Sequence, residues 1–483
     1  MHPPTCAPIV GVGTRGRAAR HNARVSDDVT TYDLIIIGSG SGNSIPEYLS
    51  DWKIAIVERG TFGGTCLNVG CIPSKMFVLP ADHVIDAREA GRLDLDIRFE
   101  GADWGAIRDR IFGRIDAIVD GGRRYRESGS ENITLIEGTA MFVDEKLLDV
   151  DGELITAPHI LVATGSRPVV PPIAGLAETG FHTSDTIMRL PEFPARLGII
   201  GGGYIAVEMG HVFSALGATV SLFNRSGLLL RHHDHEIAER FTEVFGRRVD
   251  LHLNHLPNKV QRIGDAIVVH CAGEEIEVDQ LLVATGREPN SDLIDADAGG
   301  LSCRHHGTIE VDEYMRTCVE GVWAIGDVAN EFQLKHVANH EAAVAFWNIA
   351  HPDELRTADH RFVPAAVFSN PQVATVGLTE EQARAIGIDY VVGKRDYAGT
   401  AYGWALVDET SFAKVLVDAE TGSILGGHII GPQAATLIQP IIQAMQFGQT
   451  AEQLAREPYW IHPALTEVVE NALLAAVEQL APR

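Results

Sequence analysis

Cys66 and Cys71 stand with four residues between them in the run Gly63-Gly64-Thr65-Cys66-Leu67-Asn68-Val69-Gly70-Cys71-Ile72-Pro73-Ser74-Lys75. That spacing suits a redox-active dithiol. A short segment can close over a strained, easily reduced disulfide, and such disulfides tend to be catalytic. Zinc knuckles use tighter cysteine pairs and need a second pair elsewhere. Cys6, Cys271, Cys303 and Cys318 are scattered, so no metal site is expected. A second candidate lies near the C-terminus, in Tyr459-Trp460-Ile461-His462-Pro463-Ala464-Leu465-Thr466-Glu467. Pro463 fixes the turn after His462. Glu467, one helical turn on, is placed to fold back and orient the imidazole. A histidine held by a carboxylate is equipped to move a proton to and from a thiol. These residues alone leave a structural histidine equally open.

Such side chains need a scaffold. Thr31-Tyr32-Asp33-Leu34-Ile35-Ile36-Ile37 reads as a buried strand. It passes into Gly38-Ser39-Gly40-Ser41-Gly42-Asn43 and then an expected helix. A second strand, Lys53-Ile54-Ala55-Ile56-Val57, ends at Glu58, twenty positions after Gly38. This is the strand–turn–helix–strand context of a dinucleotide-binding fingerprint. Gly38 permits the tight turn, Gly40 lets the backbone approach a pyrophosphate, and a helix N-terminus supplies amide donors. Glu58 can accept from both hydroxyls of an adenosine ribose. Asn43 replaces the usual third glycine, which predicts looser helix–strand packing there.

The unit recurs. Arg196-Leu197-Gly198-Ile199-Ile200 leads into Gly201-Gly202-Gly203-Tyr204-Ile205-Ala206-Val207-Glu208, a permitted form of the fingerprint. The next strand, Thr219 to Phe223, ends at Asn224-Arg225 rather than at an acid. An acid would hold a free ribose 2′-hydroxyl and repel a 2′-phosphate. Arg225 and Arg231 would instead pair with that phosphate, so this site is expected to prefer NADPH to NADH. Two dinucleotide folds imply two nucleotide cofactors: a flavin beside the cysteines and a hydride donor at the second site.

Two near-copies, Ile160 to Pro168 and Leu281 to Asn290, read as edges where the chain leaves and re-enters the first domain. Val322-Trp323-Ala324-Ile325-Gly326-Asp327-Val328 is a further strand whose acid suits a hydroxyl-rich flavin side chain. After about 355, strand-like segments (Ala365 to Phe368, Ser411 to Val417) alternate with helical ones (Thr379 to Ile386, Thr436 to Phe447), without a third fingerprint. The expected fold is therefore α/β, with two Rossmann-like dinucleotide-binding domains, the second inserted in the first, and a C-terminal α+β domain. The boundaries read as an Arg-, Pro- and Gly-rich disordered extension over 1–30, a flavin domain over 31–170 and 290–350, a second nucleotide domain over 171–289, and an interface domain over 356–483.

Composition sets outer limits. A length of 483 residues suggests about three domains. A net charge of −26 argues against nucleic acid and anionic membranes as partners. No apolar run is long enough to span a bilayer. Six cysteines in so long a chain are no secreted disulfide framework, so a reducing cytoplasm is expected.

Taken together, these motifs resemble the class I pyridine nucleotide–disulfide oxidoreductases, the family of glutathione reductase and dihydrolipoyl dehydrogenase, from about Thr31 to the C-terminus. Within it, Ser41-Gly42-Asn43-Ser44-Ile45, Cys71 to Val78, Leu334 to Ala342 and Tyr459 to Leu465 are similar to the mycothione reductase branch. Asn43 then looks like a trait of that branch. The resemblance implies FAD on Gly38, Gly40, Gly42, Glu58, Thr65, Lys75, Thr164, Gly165, Asp327 and His336. It implies NADPH on Gly201, Gly203, Tyr204, Ala206, Arg225, Arg231 and Gly286, with Tyr204 gating the nicotinamide pocket. Lys75 and Glu208 look like an ion pair beside the flavin's reactive nitrogen. Cys66 and Cys71 would form the redox disulfide, with Cys71 as the charge-transfer thiolate and Cys66 attacking the substrate, mycothione. His462, held by Glu467 and donated by the partner subunit, would protonate the leaving thiol, making a homodimer obligatory.

Dihydrolipoyl dehydrogenase, which normally uses NAD and carries an acid where this chain has Asn224-Arg225, and glutathione reductase remain alternatives. Mercuric reductase and large thioredoxin reductases normally carry an extra cysteine pair near the C-terminus, and no cysteine follows Cys318. A flavin-binding dimer that senses redox state is the alternative of another class.

Overall fold

The structure, a computed structural model, describes residues 29–480. The extension read over 1–30 lies outside the described residues except at its end. There Thr30–Thr31 pairs in parallel with Ile155–Thr156. The chain divides into two compact units.

The first unit comprises the described residues up to Cys71, Gly113–Arg167 and Arg287–Asp359. At its centre is a five-stranded sheet in the order Val322–Ala324, His159–Val162, Leu34–Ile37, Ile54–Glu58, Ile133–Glu137. Every neighbouring pair is parallel. All four residues of Leu34–Ile37 are buried, because a parallel strand covered on both faces must be apolar throughout rather than alternating. Alternate side chains feed two cores. Ile35, Ile37, Ala55, Val57, Ile160 and Val162 pack with Phe142, Leu148 and Ile155 of a second, four-stranded sheet. Leu34, Ile36, Ile54, Ile56 and Leu161 pack with Ala345, Phe346 and Ile349 of the helix Lys335–Ala350.

One expectation fails here. No α-helix follows Asn43; two single 3-10 turns, Ser41–Asn43 and Glu47–Leu49, take its place. Pro46 adopts an extended conformation (φ −74°, ψ 154°). It lacks an N–H and biases Ile45 away from helix, so no helical run can propagate through it.

The second unit comprises Ile72–Phe112, Pro168–Gly286 and the described residues from His360 on. Its parallel sheet runs Asp250–Leu253, Thr219–Asn224, Arg196–Ile200, Gln280–Val283. The helix Tyr204–Leu216 follows the third of these and is buried from Ala206 to Leu216, which explains its lack of a polar stripe. A three-stranded antiparallel sheet spans Lys259 to Val278. The C-terminal region is a five-stranded antiparallel sheet in the order Ala365–Val367, Val373–Gly377, Ile424–Ile430, Phe412–Asp418, Tyr390–Asp396. Helix Thr466–Val477 packs Val468, Val469, Ala472 and Leu473 onto Val415, Val417 and Ile429 of this sheet. The approach is close enough that a Cβ on Gly393 would stand 2.0 Å from the Ala472 carbonyl oxygen. The helix expected over Thr436 to Phe447 is two, Ala434–Leu437 and Gln439–Gln446, with Pro440 in the first turn of the second; proline starts helices but cannot continue them.

Among the described residues no helix is long and apolar enough to cross a membrane, and no group of three or more His, Cys, Asp or Glu could hold a metal ion.

Candidate active site

In the first unit, the turn after Leu34–Ile37 and the cysteine segment meet through glycine. Gly38 has φ +106°, and a Cβ there would lie 2.4 Å from the Ala163 carbonyl oxygen. A Cβ on Gly64 would lie 2.6 Å from the Gly40 Cα, so the two backbones touch and any side chain would part them. Gly42 is closed in by Ile36 Cγ2, 2.6 Å from its Cβ position.

Ser39 stitches this junction, a role not foreseen from sequence. Its Oγ donates to Glu58 Oε2 at 2.6 Å and accepts from the Gly63 N–H at 2.8 Å. Glu58 also accepts the Ser39 N–H at 2.9 Å and, on Oε1, the Gly60 N–H at 2.8 Å. Its carboxylate therefore shapes the turn and keeps about one acceptor site for a ribose hydroxyl. Asn43 is not a loose substitute for glycine. It accepts from Arg126 Nε at 2.8 Å through its side chain and from Arg126 through its carbonyl at 3.1 Å.

Cys66 lies within the short helix Gly64–Asn68, and Cys71 is the first residue of the helix Cys71–Arg88. Cys66 is half-buried and Cys71 exposed. The chain doubles back tightly between them. A Cβ on Gly70 would stand 3.0 Å from the Thr65 carbonyl oxygen and 3.2 Å from the Cys66 Cα. Asn68 fixes the turn by donating to the Phe62 and Gly64 carbonyls, both at 2.9 Å. Thr65, in the same short helix, is exposed.

Further acceptors and donors come from the returning chain. Asp327 accepts from Ser166 Oγ at 2.6 Å, and that hydroxyl accepts from Arg287 Nε at 2.8 Å. Glu341, buried and unforeseen, accepts the Gly326 N–H at 2.7 Å and so holds the Gly326-Asp327 turn. Lys335 Nζ donates to Ser41 Oγ at 2.8 Å, placing a cation at the first glycine turn. His336 is exposed in the first turn of the helix Lys335–Ala350. Gly165 accepts from the Asn290 N–H at 3.0 Å. Thr164 Oγ1 is buried without a hydrogen-bond partner. Buried hydroxyls are normally satisfied, so this atom, a side-chain-free glycine floor and two flanking carboxylates fit a polyhydroxylated dinucleotide.

The second unit repeats the plan with a true helix. Gly201 (φ +131°) passes under the Ala284 carbonyl oxygen, 2.1 Å from its Cβ position. Gly203 caps the helix Tyr204–Leu216 without a side-chain cap, and its Cβ position is open. The first amides are thus left to an anionic ligand. Ala206 is fully buried, Tyr204 is 41% exposed, and Gly286 (φ +122°) is exposed.

Asn224, where an acid is usual, is buried. Its Nδ2 donates to the Ser226 and Leu228 carbonyls at 3.0 and 2.9 Å. Gly202 must be glycine because the Asn224 side chain lies 2.6 Å from its Cβ position. Arg225 and Arg231 are both exposed. His232 joins them: burial first, then the charges of Arg231 and Arg225, hold its protonation below the ordinary histidine range. Adjacency of three basic residues was only partly legible, since His232 carries no motif.

Glu208, on the second turn of this helix, bonds Lys75 Nζ at 2.7 and 2.8 Å and accepts the Phe368 N–H at 3.0 Å. Its side chain is 5% exposed and that of Lys75 34%. The Phe368 ring lies 4.8 Å from Lys75 Nζ. One turn along, His211 bonds Asp82 Oδ1 at 2.8 Å, tying the same two helices a second time.

His462 Nδ1 lies 2.8 Å from Glu467 Oε1, and Glu467 Oε2 accepts the Ala464 N–H at 3.3 Å. An ionised carboxylate can only accept, so Nδ1 carries the proton and Nε2 is the exchangeable position. The imidazole is 71% exposed, whereas Glu467 is 16% exposed. The carboxyl of Glu470, one turn further, is pushed up by burial and by Glu467.

The pattern described as pyridine nucleotide-disulphide oxidoreductase matches residues 32–342, and that family's dimerisation domain matches residues 363–473. Mycothione reductase of Mycobacterium tuberculosis is 47% identical over 456 residues, covering 92% of this chain and 99% of that one. Mercuric reductase of Staphylococcus aureus is 35% identical over 92% of this chain and 82% of its own. Dihydrolipoyl dehydrogenase of Halobacterium salinarum is 34% identical over 94% and 99%. The HOCl-induced flavoprotein disulfide reductase RclA of Escherichia coli superposes with a TM-score of 0.81 at 27% identity, over 93% of this chain and 100% of that one. The chain belongs to the pyridine nucleotide–disulfide oxidoreductases: it is an NAD(P)H-dependent, FAD-using disulfide oxidoreductase with a C-terminal dimerisation domain.

Proposed function

We propose that the chain reduces mycothione, the disulfide of mycothiol, to two thiols with electrons from NADPH. The observation that carries the substrate is its 47% identity to mycothione reductase along 99% of that protein's length. Support for NADPH comes from Asn224, Arg225 and Arg231, since the position of the ribose-binding acid holds a buried amide flanked by cations.

FAD, when bound, supplies the two-electron step between nicotinamide and a Cys66–Cys71 disulfide. In the first unit Gly38, Gly40, Gly42, Glu58, Thr65, Thr164, Gly165, Asp327 and His336 would hold it. In the second, Gly201, Gly203, Ala206 and Gly286 leave room for the nucleotide backbone, and Tyr204 would cover the nicotinamide pocket. Lys75, fixed by Glu208, would offer FAD a cation where negative charge develops.

With both cysteines reduced, the Cys66 thiolate attacks one sulfur of the substrate, and the S–S bond breaks to give a mixed disulfide and a leaving thiolate. His462 Nε2 takes the Cys66 thiol proton as the attacking thiolate forms and passes it to the leaving thiolate, while Glu467 holds Nδ1. Cys71 then attacks the Cys66 sulfur. The second thiolate leaves and takes up the Cys71 thiol proton, and the Cys66–Cys71 disulfide closes.

His462 is too exposed in one copy to work in a closed site, and it is flanked by Tyr459 and Ile461, exposed by 105% and 74%. A second copy covering this apolar rim makes the active site a property of the homodimer. The deciding experiment assays mycothione, oxidised glutathione and lipoamide side by side with NADPH and NADH. The highest kcat/KM is expected for mycothione with NADPH. A preference for lipoamide with NAD(H) would replace this reading with dihydrolipoyl dehydrogenase.

A further inference from the structure

The loop that carries Arg225, Arg231 and His232 is pinned at both ends by buried polar groups. At its start Asn224 holds the Ser226 and Leu228 carbonyls, and the Leu230 N–H reaches back to the Gly202 carbonyl at 2.8 Å. At its end stands Asp234, the N-cap of helix His235–Phe245, which accepts the Glu236 N–H at 3.2 Å. Asp234 is 1% exposed and bonds Lys414 Nζ at 2.8 Å, itself 2% exposed, on the strand Phe412–Asp418 of the C-terminal sheet. Lys414 also lies 2.5 Å from Glu380 Oε1 and 3.4 Å from Glu236 Oε2. Asp234 Oδ2 takes the Glu380 N–H at 3.3 Å, at the start of helix Glu380–Ala385.

One buried cation thus serves three carboxylates on two helix N-termini. Burial pushes the carboxyls of Asp234 and Glu380 up, yet their bonds to Lys414 outweigh this and hold both below the ordinary range. A buried ion pair rarely repays its desolvation in stability alone. What this one does deliver is position. Arg231 lies three residues before Asp234, and a phosphate grip depends on how little its cations must reorganise.

We propose that Lys414, a residue of the dimerisation region outside both nucleotide fingerprints, is a positioning residue for recognition of the nucleotide 2′-phosphate, acting through Asp234 on the Arg225–His232 loop. This rests on the NADPH reading above.

The test measures binding of 2′,5′-ADP and of 5′-AMP to the full FAD-loaded protein by calorimetry, in the parent, Lys414→Met, Lys414→Arg and Asp234→Asn. Parent protein should bind 2′,5′-ADP more tightly. Lys414→Met should lose about tenfold in affinity for 2′,5′-ADP, the worth of one charge-assisted contact, with 5′-AMP unchanged. Asp234→Asn keeps the helix cap and breaks the ion pair, so it should show the same selective loss even if Lys414→Met does not fold. Lys414→Arg, which keeps the cation, should retain most of the preference. The KM for NADPH should rise in Lys414→Met and Asp234→Asn while that for NADH stays fixed. A parental preference that survives unchanged in Lys414→Met or Asp234→Asn, or an equal loss for both ligands, overturns the inference alone. A parent with no preference removes the 2′-phosphate reading and the inference with it.

Discussion

Acid should destabilise the second unit through a histidine that the fold keeps neutral. His233 lies between the Arg225–His232 loop and Asp234, with its Nδ1 buried and unpartnered. Burial first, then the proximity of His428 and His232, pushes its pKa from the ordinary 6.5 down to about 4. The unfolded chain binds a proton below 6.5, whereas the folded chain refuses it until about 4. Stability is therefore complete above pH 6.5 and falls across the window between those values. The linkage relation gives a loss of about 2 kcal/mol by pH 5 and about 3 kcal/mol by pH 4 for this one group. His428, which bonds Thr375 Oγ1 at 2.6 Å, and His211 are held down by burial in the same sense and deepen the loss. Urea unfolding of parent and His233→Phe at pH 7.5 and pH 5.0 isolates the term. The parent should lose about 2 kcal/mol more than the variant between the two pH values. Equal losses would mean that His233 titrates alike in both states and would refute the argument.

Three further outcomes test the functional reading. Cys66→Ser should abolish disulfide turnover while NADPH still bleaches the flavin spectrum; undiminished turnover would remove Cys66 as the attacking sulfur. Arg225→Ala with Arg231→Ala removes two exposed cations, each worth about 1–2 kcal/mol to a phosphate, so kcat/KM with NADPH should fall about 100-fold. The value with NADH should hold, and a parallel fall would show that the arginines do not read the 2′-phosphate. Glu208→Ala should cost about 2–3 kcal/mol in unfolding free energy, because it strands the Phe368 N–H and leaves Lys75 to solvent; Lys75's partial exposure discounts the full buried-pair penalty. Glu208→Gln keeps an acceptor for Phe368 and should cost less, so equal losses by denaturation would contradict the geometry.

Particular elements show what could be read in advance. The apolar runs at Leu34–Ile37 and Arg196–Ile200 read as strands leading into glycine turns, and both are parallel strands in the structure. The glycines after them had to sit in turns where a Cβ would collide, as Gly38 and Gly201 do. The His462–Glu467 bond was foreseen because proline and helical spacing are local properties. Pro46 was equally visible, but the fingerprint pattern outweighed it, and the helix expected there is two 3-10 turns.

The amino-acid order determined whatever is governed by neighbours within a few residues: strand identity, turn glycines, the tight doubling-back between Cys66 and Cys71, and the missing acid at Asn224. Tertiary structure decided the partners more than a hundred positions apart. Glu208 meets Lys75, Lys414 reaches Asp234 and Asp327 meets Ser166 only because sheets and helices bring those chains side by side. A side chain's charge and hydrogen-bonding capacity are written in its identity, but which group satisfies them depends on distances set by packing of the whole fold.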